Sequence, residues 1–202
     1  MSTIPELEKI IFDAQMELAK LRRQHCGPEV KNYTFQSASG PVSLSALFGD
    51  KDTLFAIHNM GAGCRYCTLW ADGINAFLPH LEAHYAVVLL SKDSPSQQRQ
   101  MANDRGWRFQ LASHQGGAYL TEETVLTGPD KTYSNYPGMV CYIKKDGRIF
   151  RKNSVTFGPG DEFCSFWSII SLAGDDSNSI TPQFHYWKRP ESMEDGGRNL
   201  ND

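Results

Sequence analysis

Two cysteines separated by two residues, Cys64-Arg65-Tyr66-Cys67, are the residues of this chain whose type and spacing point to chemistry. They stand where an apolar run, Thr53 to Met60, gives way to a helical pattern from Thr68 to His84. That junction puts the first sulfur at a helix N-terminus. There the unpaired backbone N–H groups and the positive end of the helix dipole favour negative charge. A thiol placed there has its pKa drawn from about 8.5 toward 7 or below, and the thiolate is the reactive form. The pair therefore reads as a thiol–disulfide site with Cys64 as nucleophile. Arg65 adds a cationic neighbour if its side chain turns back toward the sulfur. Cys67, one turn into the helix, is expected to be the less exposed thiol. His58 is the candidate proton shuttle for it, provided the ring points to the same face of the strand. Tyr66, Trp70 and Met139 are candidates for lining a substrate groove, although Trp70 on a helix face also suits a core position.

A zinc site is the structural alternative for such a pair. It needs four ligands, or three and an open position. No second Cys-x-x-Cys exists, and His58, His80, His84 and Cys141 are not expected to converge, so neither metal nor cofactor is expected. The five cysteines are an odd number, and a disulfide-stapled secreted domain more often shows an even set. A reducing, cytoplasmic setting follows, with Cys26, Cys141 and Cys164 as ordinary thiols. A net charge of −3 and the lack of a basic stripe argue against a nucleic-acid partner. No apolar run approaches the roughly 18 residues of a membrane helix, and no signal leader is visible at the N-terminus.

The elements that must position the pair follow from periodicity. Thr3-Ile4-Pro5-Glu6 has capping-box spacing and opens a helix. Its Leu7, Ile10, Ile11, Ala14, Leu18 and Leu21 form one apolar stripe, ended by Gly27-Pro28. The stripe is expected to dock on the same domain, with a homodimer contact as the alternative. A short strand, Asn32 to Gln36, precedes a turn, brief strand and helical turn over residues 40–49. Leu54 to Ile57 reads as a central strand and Ala86 to Ser91 as another. Pro79 predicts a kink or early end in the helix after the cysteines. Ser94-Pro95 caps a helix running to Arg105, stopped by Gly106. A strand is expected near Trp107 to Leu111, then a long, partly irregular insertion to Tyr136. Met139 to Ile143, the turn Asp146-Gly147 and Arg148 to Phe150 form a hairpin. Asp161 is expected to cap a last helix carrying Phe163, Phe166, Trp167, Ile170 and Leu172, and Asp72 is read as a solvated or capping carboxylate. Residues 1–30 make a helical extension, 31–188 the domain, and 189–202 a polar tail expected to be disordered.

This order of elements resembles the thioredoxin fold: an α/β domain with a mixed central sheet flanked by helices, here with an N-terminal helical extension and a long insertion. The segment 40–49 looks like the branch that holds peroxiredoxins and membrane-anchored thioredoxin-like reductases. The stretch from Ala62 to Asn75, with the later Pro137-Gly138, is similar to the bacterial domain-of-unknown-function family 899. The resemblance puts Cys64 on the attacking cysteine of thioredoxins and Cys67 on the resolving one. Pro137 falls near their cis-proline, which would set Tyr136 against the pair as part of a substrate groove. It implies a protein or small-molecule disulfide as substrate and leaves the electron donor open. Three departures weaken any link to classical thioredoxin partners. Gly63 replaces the usual Trp, Arg65-Tyr66 replaces Gly-Pro, and His58 replaces a buried acid. A thiol peroxidase is the nearest rival, but its signature needs a Thr three residues before the reacting Cys, where this chain has Gly61. A non-catalytic binding module using the groove beside residues 136–139 is the other alternative.

Overall fold

A computed structural model of the chain describes residues 2–123, 125 and 135–184. The first helix, α1 (Ile4–Gln24), is closed at its start by a hydrogen bond from the Thr3 amide to the Glu6 carboxylate at 2.8 Å. Strands β1 (Glu29–Val30), β2 (Thr34–Ser37) and β3 (Gly40–Ser43) lead to the single turn α2 (Leu44–Leu47). Then come β4 (Thr53–His58), α3 (Arg65–Glu82), β5 (Ala86–Ser91), α4 (Pro95–Arg105) and β6 (Gln110–Ser113). The short α5 (Ala118–Glu122), the hairpin β7 (Gly138–Lys145) and β8 (Arg148–Thr156), and α6 (Ser165–Ser171) complete the order.

All eight strands join one sheet in the order β1-β8-β7-β4-β5-β6-β2-β3. β4, β5 and β6 are parallel, as their helical crossovers require, and β7 runs antiparallel to β4. The hairpin turns at Asp146-Gly147, both with positive φ (51° and 74°), the pair of left-handed residues that a tight two-residue turn demands. α4 stops at Gly106 with φ 69°.

Alternation along β4 divides the core. Leu54 and Ala56 face a cluster with Phe35, Leu44, Val140 and Tyr142, on the side of α2 and α5. Ile57 faces the other cluster, where Trp70, Ala71, Ile74 and Leu78 of α3 meet Trp167 of α6. Each buried leucine, isoleucine, valine or phenylalanine among them contributes about 1.5–3 kcal/mol to folding.

Several expectations are corrected. The stripe of α1 does not dock on its own domain, since no residue of that helix is buried. The helix after the cysteines runs through Pro79 to Glu82, so Pro79 does not end it. The strand expected at 107–111 lies at 110–113 instead, because Trp107 and Phe109 are drawn into the α3-side cluster as anchors before the strand starts. The cap of α6 is Cys164, whereas Asp161 accepts hydrogen bonds from the Gly158 and Phe163 amides and from Trp70 Nε1. Asp72 ties α3 to its neighbour by accepting from Trp107 Nε1 at 2.7 Å and from the Arg105 guanidinium. Part of the 107–136 insertion and the 189–202 tail lie outside the described residues.

Candidate functional site

The cysteine pair sits at the C-terminal end of β4, on the loop 59–63 and the first turn of α3. Cys64 is the N-cap of α3, in extended backbone conformation, and its Sγ accepts a hydrogen bond from the Cys67 amide at 3.1 Å. This is the position of a capping hydroxyl, filled by sulfur. The carbonyl of Cys64 accepts from the Thr68 amide and hydroxyl at 3.1 and 3.0 Å. Cys67 stands on the same sulfur. Burial raises its pKa well above that of a free thiol, and its hydrogen bond to Cys64 and the charge of Cys64 add to the rise. The Met60 amide also reaches Cys67 Sγ, at 3.4 Å. Both thiols are free, and the two are 1% and 3% exposed. Cys67 is therefore shielded as expected, but the expectation that the Cys64 sulfur is reachable from water is not met in this conformation.

Residues that sequence reasoning missed hold the loop. Asn59, buried, accepts from the Gly61 amide at 2.8 Å through Oδ1 and donates to the Cys67 carbonyl at 3.4 Å. The spacing Asn-x-Gly could have flagged this Asx turn. Asp93, after β5, accepts from the Ala62 amide at 2.7 Å. Nothing local marks that contact, because its partners lie 31 residues apart. Arg65 is also buried, in the first turn of α3.

The remaining candidates are dispersed. His58 lies on the face of β4 opposite α3. Its Nε2 meets the Tyr119 hydroxyl at 2.8 Å, and no hydrogen bond joins it to either cysteine. The condition attached to a proton-shuttle role, a ring on the Cys67 side, is therefore not met. From Tyr119 a buried chain continues to the Tyr142 hydroxyl at 3.1 Å and on to Glu123 at 3.2 Å, which pairs with Arg151 at 3.3 Å. Burial lowers the His58 pKa to about 3, with the charges of His114 and Arg151 adding to the effect. Burial likewise raises Glu123 and Tyr142.

Trp70 is a core residue, 1% exposed and stacked on Phe157, so it does not line a surface groove. Tyr66 is half-buried and stacks against Trp167 with ring centres 6.4 Å apart. Pro137 is buried and follows a trans bond, since no cis peptide occurs among the described residues. Its carbonyl accepts from the Phe157 amide at 2.9 Å. Tyr136 is exposed. Met139 lines a cavity of about 220 Å³ shared with Phe55, Cys141 and Phe163. Cys141 is thus not fully in the core, although burial raises its pKa to about 11. Among the described residues no group of three His, Cys, Asp or Glu could hold a metal ion, and no helix is long and apolar enough to cross a membrane.

Solved structures share this architecture. The peroxidoxin BcpB from Mycobacterium tuberculosis is 18% identical, with 78% of this chain and 98% of that one covered at a TM-score of 0.52. A peroxiredoxin Q of Xanthomonas campestris is 15% identical over 70% of this chain and 88% of its own, at 0.50. The yeast mitochondrial 1-Cys peroxiredoxin is 10% identical over 74% and 77%, also at 0.50. At these identities the likeness concerns the fold, which is thioredoxin-like. No curated protein matches the chain. Residues 5–192, nearly the whole chain, match one family, and the chain belongs to that family, bacterial protein of unknown function DUF899.

Proposed function

We propose that the protein is a thiol–disulfide oxidoreductase that uses Cys64 and Cys67. One observation carries this: the Cys67 amide donates to Cys64 Sγ at 3.1 Å while the Cys67 thiol rests on the same sulfur. The amide supplies what a developing thiolate needs, and the second thiol is already in place to displace whatever that thiolate captures. In the reaction, the Cys64 thiolate attacks one sulfur of a substrate disulfide. A Cys64–substrate disulfide forms, and the other substrate sulfur leaves as a thiolate. Cys67 gives up its proton and attacks Cys64 Sγ, which closes the Cys64–Cys67 disulfide and releases the second substrate thiol with that proton. Two electrons pass to the substrate, and a dithiol reductant must return them.

The test is trapping. A Cys67→Ser chain incubated with a disulfide-bearing protein should accumulate a mixed disulfide at Cys64, visible by mass spectrometry and reversed by dithiothreitol. Wild type that reduces insulin disulfides while Cys67→Ser traps nothing would refute the resolving role.

A non-catalytic thioredoxin-like binding module is the second possibility, and the burial of both sulfurs favours it. Oxidation of wild type with diamide separates the two. A Cys64–Cys67 disulfide formed in the folded chain supports exchange, and its absence supports the module. A thiol peroxidase is less well supported, because Gly61 offers no hydroxyl three residues before Cys64.

A further inference from the structure

The 21 residues of α1 include no buried one, and Ile4, Leu7, Ile11, Leu18 and Leu21 are 38–74% exposed. With Ala14 these residues follow the spacing 3-4-3-4-3. That is a strict heptad seam, the pattern by which one helix packs along another. Helices in proteins draw most of their stability from packing an apolar face rather than from propensity, so this unpacked seam calls for a partner.

The last turn of α1 is fixed to the body. Asn153 Nδ2 donates to the Arg22 carbonyl at 3.0 Å, Lys152 Nζ donates to the Arg23 carbonyl at 3.1 Å, and Arg22 pairs with Glu162 at 3.3 Å. This turn borders the apolar cavity, which Arg22 and Phe163 share. The rest of the helix, about 26 Å long, carries its seam away from the body.

We propose that α1 pairs with α1 of a second copy in antiparallel orientation, and that the partner's N-terminal turn covers this cavity. Three features select that arrangement. The seam is self-complementary: antiparallel layers set Ile4 on Leu21, Leu7 on Leu18 and Ile11 on Ala14. The first half of the helix, with Glu6, Glu8, Lys9 and Asp13, carries a net charge of −2, and the second, with Glu17, Lys20, Arg22 and Arg23, one of +2. Antiparallel pairing sets opposite charges together, whereas parallel pairing sets like charges together. Both bodies hang from helix C-termini. Helices 8–10 Å apart in parallel would crowd them, and antiparallel helices put them at opposite ends. The Ile4 layer then falls beside Leu21, one residue from the Arg22 wall of the cavity.

Light scattering on the eluting full chain should give twice its 22.7 kDa mass, and Leu7→Glu with Leu18→Glu should halve it. In a Cys26→Ser background, Ile4→Cys and Leu21→Cys chains should cross-link when mixed and not when alone. The Ile4→Asp chain should alkylate Cys141 several-fold faster than wild type. A monomeric wild type at tens of micromolar, or an Ile4→Cys chain that cross-links to itself, would overturn the pairing. A dimer whose Cys141 reacts no faster in Ile4→Asp would overturn the covering of the cavity.

Discussion

The amide of Cys67 and the sulfur of Cys64 are joined at 3.1 Å inside a turn that leaves the two cysteines 1% and 3% exposed. Charge support and concealment thus coincide at one sulfur. The order of alkylation follows. In native protein at neutral pH, iodoacetamide should modify the exposed Cys26 well before Cys64 or Cys67. In Cys64→Ser, Cys67 should stay slow, because burial is the first cause of its raised pKa and survives the substitution. Peptide mapping over time reads this directly. A Cys67 that reacts in that variant like a free thiol at pH 7 would remove the shielding.

Gly61 and Asp93 make a second constraint. Gly61 has φ 113°, and a Cβ there would stand 2.8 Å from Asp93 Oδ1. Gly61→Thr would restore the residue that a peroxidase signature requires at that position, but at a left-handed backbone angle and against a carboxylate that holds the Ala62 amide. It should cost about 1–3 kcal/mol of stability and should not create peroxidase activity. Urea unfolding together with a peroxide-consumption assay checks both. A stable variant that consumes peroxide would show the loop to be freely remodelled.

The fold was legible because its signals are local. Buried parallel strands read as apolar runs at Leu54–Ile57 and Ala86–Ser91, the Asp146-Gly147 turn fixed the hairpin, and Ser94 and Gly106 bounded α4. The cysteine pair was legible for the same reason, as a motif on a strand-to-helix junction. What stayed hidden is set by contacts distant in sequence. Alternation would have placed His58 with Leu54 and Ala56, but only the sheet shows that this face is opposite α3. Asp93, Tyr119 and Tyr142 reach their partners across the fold, so no spacing announces them. The unattached stripe of α1 has the same periodicity as a docked one, and sequence cannot tell what covers it.

Asp72 shows how an acid read as solvated becomes structural. It accepts from Trp107 Nε1 at 2.7 Å and from Arg105, whose side chain is 16% exposed. Asp72→Ala would leave the Trp107 indole N–H without its acceptor and strip the Arg105 guanidinium of its carboxylate, keeping its bond to the Phe184 carbonyl at 2.7 Å. The expected loss is about 2–3 kcal/mol, and Asp72→Asn, which keeps one acceptor oxygen, should recover part of it. Denaturant midpoints of the two variants check this. Equal stability of Asp72→Ala and wild type would return Asp72 to the solvated class.

The buried chain from His58 through Tyr119 and Tyr142 to Glu123 makes stability depend on pH in a direction that can be worked out. His58 titrates near 3 in the folded chain against about 6.5 unfolded. Between those values the unfolded chain binds a proton that the folded one refuses. The contribution of His58 is therefore fully present above pH 6.5 and is lost as pH falls toward 3, at about 1.4 kcal/mol per pH unit. His114, lowered to about 4 by burial first and by Lys92 second, acts in the same sense. Glu123, raised by burial, acts in the opposite one, gaining its proton first in the folded state. Replacing His58 by Gln keeps a hydrogen-bonding group opposite Tyr119 and removes the titration. Urea unfolding at pH 4, 5 and 6 should then give a slope shallower than wild type by about 1.4 kcal/mol per unit, with no change in slope between pH 7 and 8. Identical slopes in the two proteins would mean that His58 takes up a proton in the folded state as readily as in the unfolded one, and that its burial does not hold it neutral.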